Sequence, residues 1–124
     1  SHVLEHVPQA KFVQTLKGLH RILKTGGTLM ISVPDLDTLC SQFTQLAGTN
    51  NTDARIHVMR MIFGGQMDHH DFHYIGLSFD ILAKLAGEAG FRTMQRVRTF
   101  EVFNDTSDYA PYGLPISLNV LVTK

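Results

Sequence analysis

Residues 64–74 read GGQMDHHDFHY and hold three of the chain's seven histidines and two aspartates within eleven positions. Imidazole and carboxylate are metal-ligand types, and imidazole also exchanges a proton near neutral pH. His69, Asp71 and His73 alternate as H-x-D-x-H, without the i, i+4 repeat that sets two ligands on one helix face. Three readings stand open: a substrate-facing lid with His73 as polar contact or base, a structural loop whose Asp71 and His73 bond backbone groups, and a metal site. Polar chemistry also gathers at Ser1, His2, Glu5 and His6, at Asp35 and Asp37 after Pro34, and at 104–108 (NDTSD) with Asn119. Glu5 and His6 stand where a helix begins, so a carboxylate there suits the free N–H groups and the macrodipole. Asp35 and Asp37 read as caps of the next helix, and Cys40, inside that helix, as packing.

These groups need elements to hold them. In 8–24, Phe12, Leu16, Leu19 and Leu23 recur with a helical period, widened by Val13 and Ile22; Pro8 suits the first turn and Gly26-Gly27 the exit. TLMISV (28–33) is a short β-rich apolar run and predicts a strand buried on both faces, as in a parallel sheet. Helices are expected over 36–47 and 54–63, and another after Ser78 with Leu82, Leu85 and Ala89 inward and Gly90 closing it. Strands are expected over 91–103 and 116–124, joined without a helix and hence antiparallel neighbours. Arg92, Arg96 and Arg98 alternate along the first of these and read as a solvated face.

With 124 residues, 44% hydrophobic and 18% charged, the chain suits one globular domain with a single core. Eleven basic residues balance eleven acidic ones, so no field directs it to nucleic acid or an anionic membrane. No apolar run reaches the ~18 residues of a membrane span. The one cysteine forms no internal disulfide, which fits a reducing, cytoplasmic setting. Helix–strand alternation predicts an α/β layered fold with a mostly parallel sheet, the last strand antiparallel and helices on both faces.

The opening SHVLEHVP, with Leu4-Glu5-His6, Arg21, Leu23-Lys24, Gly26-Gly27 and Val33-Pro34 at this spacing, resembles the second half of class I S-adenosylmethionine-dependent methyltransferases. LAGEAGF (85–91) is similar to that family's pattern before the penultimate strand. GGQ…DFH…G together with Asp105, Ser107, Gly113, Pro115 and Asn119 resembles a bacterial subgroup of it. No G-x-G-x-G occurs, so the glycine-rich turn that holds the cofactor in such folds has no counterpart.

The resemblance implies a Rossmann-like sheet of which 1–124 is a single partial domain, the carboxyl-terminal half. It implies a parent enzyme that methylates a small-molecule acceptor from S-adenosylmethionine, and a chain that by itself is inactive and binds the cofactor weakly or not at all. Ser1, His2 and Val3 are then expected to border the cofactor, with His2 and His73 as catalytic candidates. Gln66, His70, Asp71, His73, Asp105 and Ser107 are expected substrate contacts, and no metal is expected. The strand edge left bare by half a sheet predicts self-association, at least as a dimer. Two rivals remain: a non-catalytic self-associating module, and a small metal-dependent hydrolase using the 69–73 cluster.

Overall fold

The computed structural model describes residues 1–102 and 104–124. Four helices, α1 (Gln9–Ile22), α2 (Leu36–Gln45), α3 (Thr52–Phe63) and α4 (Phe79–Ala89), and three strands, β1 (Thr28–Pro34), β2 (Thr93–Val97) and β3 (Ser117–Thr123), follow in the expected order. Pro8 stands at the cap of α1 rather than inside its first turn. The strand expected over 91–103 is shorter, and its last position, Phe103, lies outside the described residues.

The sheet corrects the sequence expectation. Its order is β1-β3-β2, and β3 pairs antiparallel with both neighbours, so it is wholly antiparallel rather than mostly parallel and Rossmann-like. An apolar run such as Ile31–Pro34 reports depth, because both of its faces are buried, but it says nothing of direction. Direction is set by connections. Among the described residues no α-helix joins β2 to β3, so β3 turns back along β2 and fills the centre, and β1 and β2 run the same way without touching. A single parallel bridge, Asp35 to Leu77, extends the sheet's edge beyond β1.

Ile31 and Val33 pair across the sheet with Val120 and Leu118, and these side chains share one face. Phe12 and Leu16 of α1 and Leu82, Ala86 and Ala89 of α4 join them in the main core. The opposite face carries Ser32, Asn119 and Ser117 and is covered at that end by the turn Thr106–Asp108, not by an α-helix. A second, smaller core of Leu39, Val58 and Ile116 ties α2 to α3. The segments that carry polar chemistry therefore meet at the Pro34 end of β1.

Candidate functional site

Residues 1–7 lie between the free edge of β1 and the 64–77 loop. The His2 amide donates to the Ser32 carbonyl at 2.8 Å, which covers one position of the bare edge. Leu4–His6 forms one 3-10 turn that points Glu5 inward, where it is 2% exposed. The Tyr74 amide donates to the Glu5 carbonyl at 2.8 Å, and His6 Nδ1 lies 3.1 Å from the Phe72 carbonyl. A carbonyl only accepts, so Nδ1 of His6 carries a proton and Nε2 is left free. Glu5, His6 and His73 thereby converge, with one ligand-type atom from each inside 4.8 Å of the others. The His6 and His73 rings meet edge to face, 4.8 Å between centroids.

The loop that delivers His73 is built on its glycines. Gly64 has φ +83°, and a Cβ there would stand 2.1 Å from the Asp71 carbonyl oxygen. Only glycine lets the chain turn so closely. Asp71 closes the turn: its carbonyl accepts from the Gln66 amide at 3.1 Å and its carboxylate from the Met67 amide at 3.4 Å. The His73 amide then donates to the Phe63 carbonyl at 3.1 Å, pinning the loop's exit to the end of α3.

The electrostatics follow from burial. Both carboxylate oxygens of Glu5 lack a hydrogen-bond partner, and desolvation raises its pKa. His2 is lowered from 6.5 to about 4, chiefly by burial, and His73 is lowered by burial and then by His6, against the pull of the Ile62 and Met61 carbonyls. The Ser117 hydroxyl donates to the Thr106 carbonyl at 2.9 Å, so at 2.9 Å from His2 Nε2 it must accept. His2 is therefore the Nε2–H tautomer, with the Nδ1 lone pair 3.5 Å from Glu5 Oε1. Two imidazoles whose protonation is disfavoured by burial thus flank one carboxyl group that holds its proton more tightly than usual.

Next to this cluster a groove of about 480 Å³ is lined by His73, Tyr74, Leu36, Phe43, Met59 and Phe63 among others. Cys40, expected to pack, is exposed and lines it too. His73 borders both the groove and a void of about 10 Å³ against Glu5.

The other sequence candidates fall in three places. Ser1 is exposed, with its hydroxyl 2.7 Å from that of Thr106, and Val3 is 63% exposed beside a second groove of about 280 Å³ along β1. Asp105 caps its own turn by accepting from the Ser107 amide at 2.9 Å, while Ser107 is buried and its carbonyl accepts from Asn119 Nδ2. His2 reaches this group through Ser117. Gln66 and His70 are exposed, and the His70 amide bonds Asp68 instead.

Two features were not foreseen. Glu5 caps nothing and is the buried centre of the cluster. Asp35 is also buried, and its carboxylate accepts from Arg96 and from the Thr38 hydroxyl rather than capping α2. Arg96 is thus not merely part of a solvated face. The two residues stand 61 positions apart, so no local pattern could reveal the pair.

No family model matches the chain, and no curated protein matches it in sequence. Among solved structures it is similar to a putative O-methyltransferase from Nostoc punctiforme, with 14% identity and a TM-score of 0.54. The likeness covers 99% of this chain and 30% of that one. The chain therefore has a fold found in part of that protein and spans under a third of its length. Among the described residues, no helix is long and apolar enough to cross a membrane.

Proposed function

We propose that the chain is the acceptor-side, carboxyl-terminal part of a methyltransferase that uses S-adenosylmethionine and a small-molecule acceptor. The observation that carries this reading is the convergence of His2, Glu5 and His73 beside an open groove, at the one end of the sheet where the motif-bearing segments meet. The SHVLEH and GGQ…DFH resemblance and the fold likeness support it.

Bound S-adenosylmethionine would supply an electrophilic methyl group. The residues present do not suffice to hold it: the groove at Ser1, Val3 and Leu4 is walled by apolar side chains and contains no carboxylate for a ribose. Only one flank of the cofactor would be met here, at Ser1, His2 and Val3, so the isolated chain binds it weakly and is inactive.

What this chain contributes is acceptor binding and proton handling. The groove excludes water from an apolar acceptor body, and alignment of the acceptor is the main demand of an in-line displacement. His73, neutral at pH 7, offers a polar contact or takes the acceptor's proton, and His2 is the second such group. Burial makes both imidazoles weak bases, which suits an acceptor whose own proton is acidic. Gln66, His70 and Asp71, on the loop that leads to His73, are proposed as further acceptor contacts, whereas Asp105 and Ser107 sit in the turn beside Ser117 and do not line this groove. The free edge of β1, with Val3 and Met30 exposed beside it, is proposed to self-associate.

Equilibrium dialysis with radiolabelled S-adenosylmethionine tests the reading on two proteins: this chain, and the polypeptide extended by its upstream reading frame. The extended protein is expected to bind and the isolated chain is not. An extended protein that fails to bind contradicts the methyltransferase reading, and micromolar affinity in the isolated chain contradicts the incomplete site.

A further inference from the structure

From the Glu5, His6 and His73 cluster we infer a binding site for one divalent first-row transition ion, such as zinc or cobalt. Two imidazoles and a carboxylate form a donor set such ions take from proteins, leaving further positions open. Ligand atoms sit about 2.0–2.2 Å from the ion, so they stand roughly 3–4 Å apart when it is bound. The present spread, within 4.8 Å, closes with side-chain adjustments on the order of 1 Å.

Two independent observations point to an occupant. Glu5 is 98% removed from solvent by its 2% exposure, yet neither carboxylate oxygen has a hydrogen-bond partner. A buried carboxylate left so is costly unless paired or bound to a metal. His6 already has the outer-shell bond of a metal-bound histidine: Nδ1–H donates to the Phe72 carbonyl, which orients the ring and leaves Nε2 to ligate.

His69 and His70 take no part. Their rings lie 3.9 Å apart, centre to centre, on the exposed half of the loop. The site thus differs from one built on the H-x-D-x-H run and shares only His73 with it. Because His73 lines both the void and the groove, an ion there would sit at the groove's inner wall.

The test is titration of the metal-free chain with Co²⁺, followed by visible ligand-field absorption and displacement by Zn²⁺, without cofactor or acceptor. Its outcome is therefore independent of the methyl-transfer reading. One equivalent is expected to bind, with two hyperfine-shifted imidazole N–H signals in the proton NMR spectrum. Glu5→Gln and His73→Asn are each expected to weaken binding roughly 100-fold or more, beyond the 10–100-fold that loss of an outer-shell partner costs. The double variant His69→Asn/His70→Asn should bind within about twofold of the parent. Circular dichroism establishes that each variant is folded; should His73→Asn unfold, Glu5→Gln and the NMR signals decide alone. No saturable Co²⁺ binding, or binding that survives Glu5→Gln and vanishes in the His69/His70 variant, overturns the inference.

Discussion

Residues 66–70 and 71–77 are two halves of one loop that both carry histidine and aspartate, and the chain treats them in opposite ways. The first half projects outward: Gln66, Met67, Asp68, His69 and His70 are all exposed, and Asp68 serves only the turn itself. The second half is laced to the fold, with Asp71 closing the turn, His73 held at the end of α3, Tyr74 bonded to Glu5 and Leu77 buried beside Asp35. Local density of ligand-type residues thus marks the conspicuous half. Convergence with residues 1–6, more than 60 positions earlier, marks the half that can do chemistry.

The sharpest way to break this contrast is to break the turn that separates the halves. Gly64→Ala forces a side chain into left-handed backbone and into the Asp71 carbonyl. It should cost about 3 kcal/mol or more in urea unfolding, combining strain with a clash. Gly87→Ala in α4 meets open space and should stabilise by roughly 0.5–1 kcal/mol as the matched control.

Acid offers a gentler test. His2 and His73 both bind a proton less readily when folded than when unfolded. Below the ordinary value of 6.5 the unfolded chain takes up more protons, so stability is full above pH 6.5 and drains as pH falls toward 4. Glu5 acts in the opposite sense: its raised pKa adds stability that is present below 4.5 and lost as pH rises through its folded value. In the metal-free chain, the urea midpoint of Glu5→Gln relative to the parent should therefore improve with rising pH. A difference that does not change with pH would show that Glu5 is not buried as described.

The smallest effect belongs to the exposed half. His69→Asn/His70→Asn should shift stability by no more than about 0.5 kcal/mol. At the far edge of the molecule, light scattering should show the chain self-associated through β1, and a clean monomer at micromolar concentration would contradict that.

Much of the scaffold was legible. The helical repeat of Phe12, Leu16 and Leu19, and of Leu82, Leu85 and Ala89, set α1 to within two residues at its end and α4 at its observed bounds, although Ala86 rather than Leu85 is the fully buried position. The antiparallel pairing of β2 and β3 was legible too, but the antiparallel placement of β1 was not, because Ile31–Pro34 reads the same in either sense and the insertion of β3 between β1 and β2 is a long-range event. The centre of the site was hidden for a related reason. A glutamate at the start of a turn looks like a cap, and only the packing around it makes Glu5 buried, with neither carboxylate oxygen hydrogen-bonded. Arg96 was lost among alternating basic residues until Asp35 was placed opposite it.

The proposed chemistry lies in the half of the loop that is laced to the fold, not in its outward half. It is tested most directly by the rate of S-adenosylhomocysteine formation in the upstream-extended protein, offered small hydroxylated acceptors. His73→Asn is expected to slow turnover on the order of 100-fold, while His69→Asn leaves it unchanged. Loss of turnover in the His69→Asn variant with His73→Asn at the parent rate would contradict this placement.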